Sequence, residues 1–354
     1  MRVIIILTIC FIYISITVSA FSYKEYDIYN ISDNTVETKN FYIAGFANSS
    51  PVILGIAPIV DINLKKKNKN YKLYFINFEN DKIHVMDIPM YSIQQYMFDN
   101  EDKMLFLIGN KLTTLAVINM SDYSYTELSK VEYGRNSFRF FGLIWSEGPN
   151  IYTTGYYMDE KQNATDDFIV RLEFQGQEKN IKFINTGFNL TNFKDKFNPI
   201  NFVILNHQKV AFIANKGGGQ YLGITDKDLS LNKVDEGQTF SSLSFSHDYI
   251  LYGIKKNNKI YYSLYDYNLQ KIYLQREINF PPSYNFISRD SSSIIISDLK
   301  PKSMRMDVYV GKKENDYNLK KVISDEIWGH IKISRDGKYF VYALKNGKVR
   351  VYKI

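Results

Sequence analysis

The chain has 354 residues, of which 45% are hydrophobic and 23% are charged. This composition supports a buried core and excludes a chain that is disordered throughout. The 29 tyrosines and 24 phenylalanines favour β-strands. The formal net charge of +7 is small for a surface of this size, so it gives no reason to expect a nucleic-acid partner.

The first feature along the chain is an uncharged, apolar segment over residues 3–21 that follows an arginine. Its composition and the small residues near its end indicate a secretory signal peptide that is cleaved after Ala20. The alternative is an uncleaved membrane anchor, because a segment of this length almost spans a bilayer. We therefore expect residues 1–20 to be a signal segment. Residues 21–354 would form one domain that is secreted, periplasmic or on the cell surface, with a membrane partner only if the anchor is retained.

The only cysteine, Cys10, lies inside this apolar segment. If the segment is removed, the remaining chain has no disulfide, no thiolate nucleophile and no cysteine ligand for a metal. Burial and hydrogen bonding must then stabilise the fold. The four histidines are too far apart in sequence to form a metal-binding motif, so we predict no metal site and no cofactor.

Beyond residue 40 the chain repeats one pattern, a short apolar or aromatic run that ends in a small residue. The seven small residues are Gly55, Gly109, Gly155, Ala214, Gly253, Ser297 and Ala343. They lie 39 to 59 residues apart, with a mean spacing of 48. Within a repeat, four strand-like segments alternate with turn residues, as in residues 240–278. Seven such repeats predict an all-β, seven-bladed β-propeller.

The seventh repeat ends after three strands, whereas residues 23–40 form a strand-like segment that belongs to no repeat. We predict that this N-terminal segment supplies the fourth strand of the last blade. Its pairing would close the ring and remove exposed sheet edges. The side chains of Tyr26, Ile28 and Ile31 would then be buried.

Two motifs invite other interpretations. The sequence KGGGQ at residues 216–220 contains the glycines of a phosphate loop, but a strand-like segment follows it where a phosphate loop needs a helix. We therefore predict a hairpin turn there. We also predict that the basic run KKKNK at residues 65–69 is the tip of a hairpin, not a site for nucleic acid or a membrane.

The last 22 residues, ISRDGKYFVYALKNGKVRVYKI, resemble a WD40-type repeat. Residues 334–338 stand where that family has a Ser-x-Asp-Gly-Lys turn, and residues 346–352 stand where it has an Asp-Gly-x-hydrophobic strand. The portion SRDGKYFVYA, residues 334–343, is also similar to repeats of TolB-type periplasmic propellers. The Trp-Asp dipeptide of the family is replaced by Tyr352 and Lys353, so the resemblance implies the fold and transfers no functional residue.

Candidate site residues come from the predicted position of the central channel. Trp328 and His330 fall on the first strand of the last blade, which should line that channel, so we consider them candidate ligand-binding residues. No residue is a convincing catalytic candidate. The acidic residues fall mostly in turns, where they cap their own backbone, and there is no Gly-x-Ser-x-Gly elbow.

Propellers of this kind are mostly rigid interaction platforms, although some are enzymes. We therefore predict a monomeric, non-catalytic binding scaffold for a protein or glycan ligand. The alternative is a propeller enzyme, a hydrolase or lyase that acts on a glycan or lactone at the channel mouth. Acidic and histidine side chains from several blades at the mouth would favour the enzyme, whereas aromatic and basic side chains would favour binding.

Export of the protein should yield a chain that begins near Phe21. Mass spectrometry of protein from the extracytoplasmic fraction measures this N-terminus directly. An intact Met1 in a membrane fraction would show that the segment is retained as an anchor.

Overall fold

The computed structural model describes residues 23–27, 41–61, 66–90, 92–109, 114–128, 132–133, 136–147, 149–158, 165–175, 180–301, 303, 305–344 and 346–354. These residues form seven small antiparallel sheets, one short α-helix and one turn of 3-10 helix. The predicted signal segment lies outside the described residues. Among the residues that are described, no helix is both long and apolar enough to cross a membrane.

The sheets follow one another along the chain, and each is one blade. Blade 1 contains β2 (Tyr42–Phe46), β3 (Val52–Asp61), β4 (Lys66–Asn77) and β5 (Lys82–Ile88). Blade 2 contains β6 (Ile93–Phe98), β7 (Met104–Gly109), β8 (Thr114–Asn119) and β9 (Tyr125–Glu127). Blade 3 contains β10 (Glu132–Tyr133), β11 (Asn136–Glu147), β12 (Asn150–Met158), β13 (Phe168–Gln175) and β14 (Asn180–Asn189).

The second half of the chain forms the remaining four blades. Blade 4 follows helix α1 (Leu190–Phe197) and contains β15 (Pro199–Asn206), β16 (Lys209–Lys216), β17 (Gly219–Asp226) and β18 (Leu231–Gly237). Blade 5 contains β19 (Thr239–Phe240), β20 (Ser244–Phe245), β21 (Tyr249–Lys256), β22 (Lys259–Asp266) and β23 (Lys271–Ile278). Blade 6 contains β24 (Tyr284–Ile287), β25 (Ser293–Lys300), β26 (Arg305–Lys312), the 3-10 turn Lys313–Asn315 and β27 (Lys320–Asp325). Blade 7 contains β28 (Ile327–Ile333), β29 (Tyr339–Leu344), β30 (Lys348–Lys353) and, from the other end of the chain, β1 (Tyr23–Asp27).

Neighbouring blades pack face to face, and each of the seven contacts has its own apolar core. Between blades 2 and 3, for example, Phe106 packs in one cluster with Phe138. Between blades 7 and 1, Val341 packs in one cluster with Ile53. Because the middle strands are covered on both faces, they are continuously apolar, as at residues 294–296, which are fully buried. The seventh core joins the last blade to the first and makes the sheets a closed ring.

The predicted closure by the N-terminal strand is confirmed. Strand β1 pairs antiparallel with β30, with Tyr23 opposite Tyr352. The carboxylate of Glu25 bonds to Lys348 Nζ at 2.6 Å and to Arg350 Nε at 2.7 Å, and these bonds hold the pKa of Glu25 below its ordinary value. Tyr26 is buried, as predicted, whereas Ile28 and Ile31 lie outside the described residues.

Strand β1 also contacts the first blade. The hydroxyl of Tyr26 donates a hydrogen bond of 2.8 Å to Asp81, in the turn between β4 and β5. Lys24 forms an ion pair of 2.9 Å with the same carboxylate. The strand therefore completes blade 7 and fastens that blade to blade 1.

All seven small residues predicted from the repeat lie on the second strands of their blades, at positions 55, 109, 155, 214, 253, 297 and 343. They lie near the axis, because the first strands of neighbouring blades contact one another there. At Gly55 a Cβ would lie 2.6 Å from the ring of Phe41, and at Gly109 one would lie 2.2 Å from the carbonyl oxygen of Ser92. At these two positions the segment that enters the blade passes over the second strand and leaves no room for a larger side chain.

The two remaining sequence motifs have different outcomes. The KGGGQ sequence forms the predicted hairpin turn, in which Gly217 and Gly218 adopt positive φ angles of 54° and 86° between β16 and β17. The basic run at 65–69 was expected at a hairpin tip, but strand β4 already begins at Lys66, which pairs with Asp61. Lysines 66, 67 and 69 therefore belong to the strand, because the hairpin extends further from the core than the turn signals indicated. Helix α1 was not predicted.

A chain that begins at Phe41 should aggregate or melt far below the chain that begins at Phe21. It lacks β1, and the edge of β30 is then unpaired. Burial of one large apolar side chain contributes about 1.5–3 kcal/mol, against a typical total stability of about 5–15 kcal/mol. Thermal unfolding followed by circular dichroism measures the difference. An unchanged melting temperature would contradict closure by β1.

A pair of point variants tests the same contact without deleting the strand. Tyr26→Ala should lower the free energy of unfolding by about 1.5–3 kcal/mol, because the buried ring is lost. Lys24→Ala, on the same strand, should change it by less than about 1 kcal/mol, because its ion pair is exposed. Equal effects of the two variants would show that Tyr26 is not a closure contact.

Candidate functional site

The two predicted site residues lie where the sequence placed them along the chain. Trp328 and His330 belong to β28, the first strand of blade 7, and Trp328 pairs with Ala343. The ladder between β28 and β29 is irregular from Trp328 to Lys332. Their side chains lie outside the described part of the structure, so their role in ligand binding stays a prediction.

The described side chains point to a different set of residues, in the turns between the first and second strands of the blades. Each turn has a large apolar residue near the end of the first strand and a polar residue two positions later. The polar residues are Asn48, Asn100, Glu147, His207, His247, Arg289 and Arg335, one from each blade. We call them the mouth ring. They collect at one end of the central channel and are of four kinds: two asparagines, one glutamate, two histidines and two arginines.

The turns of blades 6 and 7 have the same internal structure, which explains the recurrence of ISRD in the sequence. Ser288 Oγ donates to Asp290 at 2.7 Å, and Ser334 Oγ donates to Asp336 at the same distance. Each serine also accepts a backbone hydrogen bond of 3.0 Å from the first residue of the next strand. The serine and aspartate therefore form the turn, and the arginine between them is left to face the channel.

Hydrogen bonds between blades hold the turns in fixed positions relative to one another. The backbone N–H of His247 donates to the carbonyl oxygen of Arg289 at 3.1 Å. The backbone N–H of Asp290 donates to that of Arg335 at 3.2 Å. Further bonds link the turns of blades 1 and 2 and of blades 2 and 3. The ring residues thus extend from a rigid frame.

A cavity of about 280 Å³ opens at this end of the channel; we call it the mouth cavity. Its apolar lining comes from the large residues of five turns, namely Phe46, Leu205, Phe245, Ile287 and Ile333. Its polar lining includes Asn48, His247, Arg289 and Arg335 of the mouth ring. Phe245 is 40% exposed, which is unusual for an aromatic side chain on an inner strand of this protein. The cavity therefore combines cationic donors with an accessible apolar surface.

The two arginines at the mouth have no carboxylate partner among the described residues. Arg289 extends from blade 6 to blade 3, where its Nη2 donates to the carbonyl oxygen of Ser146 at 3.3 Å. By contrast, Arg171, Arg276 and Arg350 each form an ion pair with Asp or Glu. Arg289 and Arg335 are therefore cations without an ion-pair partner among the described residues.

Burial and charge both act on the ionisable groups of the mouth. Burial, and then the charge of Arg335, lowers the pKa of the Arg289 guanidinium, and the carboxylate of Glu147 opposes this shift in part. Burial lowers the pKa of His247 below its ordinary value, and both arginines act in the same direction. The carboxylates of Asp248 and Asp290 oppose this effect only in part. His247 is therefore neutral at pH 7, and the positive charge of this part of the mouth comes from the arginines.

Glu147 and His207 form a second polar group on the other side of Arg289. His207 Nδ1 lies 2.6 Å from Glu147 Oε2, and the backbone N–H of His207 donates to Oε1 at 2.6 Å. The indole N–H of Trp145 also donates to this carboxylate, at 2.9 Å. The ring of Tyr152 stacks on His207 with a centroid distance of 5.1 Å. The imidazole is thus held in one orientation between blades 3 and 4.

Neither a metal centre nor a nucleophilic triad can be assembled from the described side chains. Within the described ranges, no cluster of three or more His, Cys, Asp or Glu residues is placed to hold a metal ion. Glu147 is the only described partner that hydrogen-bonds to the His207 side chain, so no hydroxyl nucleophile is engaged there. A carboxylate that orients a histidine in this way could position a proton acceptor.

Comparison with known proteins supports the fold. No protein-family model and no curated protein sequence matches the chain. Among solved structures, it is similar to an oligogalacturonate lyase in complex with manganese, with a TM-score of 0.55, 9% identity and coverage of 89% of this chain and 96% of that one. The WD40 domain of Neurospora crassa Pan2 has a TM-score of 0.52 and 12% identity, over 94% of this chain and 96% of that one.

A third similar structure is the β-propeller domain of the Trilobed protease from Pyrococcus furiosus, with a TM-score of 0.55, 10% identity and coverage of 89% and 93%. That propeller is described as having an open velcro topology, whereas strand β1 completes the last blade here. The chain is a seven-bladed β-propeller of WD40-like fold, as the sequence predicted. At 9–12% identity these similarities show the fold alone.

The sequence contained a signal for the mouth ring that was not used to locate the site. Arg289 and Arg335 lie inside two stretches of identical sequence, ISRD at residues 287–290 and 333–336. In the other five blades the turn sequences diverge to FAN, FDN, WSE, LNH and FSH, ending at residues 48, 100, 147, 207 and 247. Aligning the seven turns on their large apolar residue would have identified the ring.

The lowered pKa of His247 predicts how stability depends on pH. The unfolded chain binds the proton of His247 more tightly than the folded chain does, so protonation lowers the free energy of unfolding. This loss is absent well above about pH 6.5 and grows as the pH falls. We expect His247→Gln to weaken the loss of stability between about pH 7 and pH 5. Urea unfolding at several pH values measures this. An unchanged pH dependence in the variant would contradict the shift.

Proposed function

We propose that this protein is an extracytoplasmic, non-catalytic binding scaffold that takes a protein or glycan ligand at the channel mouth. The observation that carries the proposal is the mouth ring. Seven rigid turns bring seven polar side chains of four kinds to one opening, above a cavity with an apolar lining. Such a combination of apolar surface and a few fixed polar groups is typical of recognition sites.

The chemistry of the ring favours binding over catalysis. Arginine stays protonated in proteins, so Arg289 and Arg335 supply charge and hydrogen-bond donors but no general base. Aromatic residues Phe46 and Phe245 add apolar contact area. The ring contains one carboxylate, Glu147, whose oxygens are engaged by Trp145 and His207. This is the mixture of basic and aromatic groups expected at a binding mouth. Glu147, His207 and His247, from three blades, are the acidic and histidine groups expected for an enzyme.

An enzyme is the second candidate, since the fold is shared by a lyase and by WD40 domains. The specific observation in its favour is the Glu147–His207 pair, because a carboxylate that orients a histidine is a common arrangement for general-base catalysis. The reaction would be hydrolysis or elimination on a glycan or lactone at the mouth. Glu147→Gln would then abolish turnover.

The proposed location follows from the N-terminal segment. Cleavage after Ala20 would release a monomeric propeller without cysteine outside the cytoplasm. If the segment is retained, it would hold the propeller at a membrane surface. Either arrangement leaves the mouth ring available to an extracytoplasmic ligand.

Peptide and glycan arrays test the proposal, with the chain from Phe21 as the probe. Ligands retained by this protein should be lost by the double variant Arg289→Gln/Arg335→Gln, which removes both cations from the mouth. They should be kept by Arg305→Gln, a matched change on β26 whose arginine bonds to the carbonyl oxygen of Ser324. Mass spectrometry of the bound ligand should show it chemically intact.

Two results would overturn this conclusion. Recovery of a cleaved ligand, with loss of cleavage in Glu147→Gln, would establish the enzyme. Retention that is unaffected by the double variant would place the binding surface away from the mouth.

A further inference from the structure

We propose that the mouth cavity binds one oxyanion group carried on a compact apolar body, with Arg289 and Arg335 holding the oxyanion. This inference rests on the proposed binding function and specifies the chemistry of the ligand. It follows from the charge, the geometry and the lining of the cavity.

The charge of the mouth calls for an anion. Both guanidiniums are partly buried, and neither forms an ion pair with a described carboxylate. A partly buried charge without a partner is unfavourable, and a bound anion relieves this cost. The nearest turn acids are engaged in their own turns, as Asp290 is with Ser288 and Asp336 with Ser334 and Lys338. The carboxylate of Glu147 also attracts Arg289, but it forms no ion pair with either arginine, and its Oε1 already accepts bonds from Trp145 and His207. An oxyanion on the ligand would therefore be the direct partner of the two arginines.

The geometry allows both arginines to serve one ligand. They occupy the same position in adjacent turns, and the bond from Asp290 N–H to the carbonyl of Arg335 fixes the spacing of those turns. A guanidinium presents paired N–H donors that match carboxylate, sulfate and phosphate oxygens. The bond from Arg289 to Ser146 is long, at 3.3 Å, so an anionic ligand can replace it at little cost.

The cavity restricts the rest of the ligand. Its volume of about 280 Å³ is at the lower limit for small-molecule sites, so it holds one ring or one side chain, not a polymer. The five large apolar residues lie on the inner strands, each two positions before the ring residue of its turn. They therefore lie deeper in the channel than the arginines do. The exposed face of Phe245 is the largest aromatic surface available. A carboxylate on an aromatic or aliphatic group fits a site with arginines outside and an apolar lining inside better than a sugar acid does.

Isothermal titration calorimetry with small probes tests this inference independently of any natural ligand. Phenylacetate presents a carboxylate on an apolar ring, and phenylacetamide is its neutral analogue. Inorganic phosphate carries a charge but has no apolar body. Glucuronate carries its carboxylate on a polar sugar ring. We expect phenylacetate to bind at least tenfold more tightly than each of the other three.

Variants assign the two halves of the site. Arg289→Gln and Arg335→Gln should each abolish the preference for phenylacetate over phenylacetamide, whereas Arg305→Gln should retain it. Phe245→Ser should weaken phenylacetate binding and leave phosphate binding unchanged. Thermal unfolding of each variant confirms that it is folded before its affinity is compared.

Several outcomes would overturn the inference. These are no binding of phenylacetate, equal binding of its neutral analogue, binding of phosphate or glucuronate as tight as that of phenylacetate, and indifference to both arginine variants. The calorimetric result tests the anion site independently of the array experiment, which tests the scaffold function. A neutral array ligand that depends on the mouth would refute the anion and leave the scaffold function intact, whereas a cleaved ligand would refute the scaffold function alone.

Discussion

The contact between the last blade and the first is the constraint on which the rest of the structure depends. Each blade is covered on both faces only if it has two neighbours, and a row of seven sheets leaves two faces open unless the row becomes a ring. Strand β1 secures that contact by pairing with β30 and by bonding to Asp81 of blade 1. Arg350 extends the connection, because it bonds to Glu25 of β1 at 2.7 Å and to Asp325 of blade 6 at 2.5 Å. Three blades are therefore fastened at the point of closure.

Closure brings the first strands of the blades together around the axis. The space available to side chains differs between the two ends of the channel. At one end the incoming chain crosses the second strand, so positions such as Gly55 and Gly109 have no room for a side chain. At the other end lie the short turns of the mouth ring. There the backbone is fixed by hydrogen bonds such as Ser288–Asp290, whereas the ring residue itself is free to vary. Constant geometry with variable side chains is how loops on a rigid scaffold acquire binding specificity.

The arginines of this protein show how the same residue serves two purposes. Arg350 is part of the closure contact, where carboxylates on two sides neutralise it. Arg289 lies in the channel mouth, where its described hydrogen bond is to a backbone carbonyl. Arg350 has carboxylate partners and stabilises the fold. Arg289 has no ion-pair partner among the described residues and is therefore available to a ligand. Burial, and then the charges of Arg289 and Arg335, lowers the pKa of the neighbouring His247.

The sequence alone determined the number of blades, the four-strand order within a repeat, the small residues of the second strands and the closing strand. These are local or periodic features, and burial on a pleated strand leaves a direct trace in the residue pattern. Helix α1 was missed because it is stabilised by packing between blades 3 and 4. The start of β4 at Lys66 was missed because the β3–β4 hairpin extends further than the turn residues indicate. The mouth ring was decided by tertiary structure. Asn48 and Arg335 are 287 residues apart in the chain, yet they line one cavity, because closure of the ring places the first and last blades side by side.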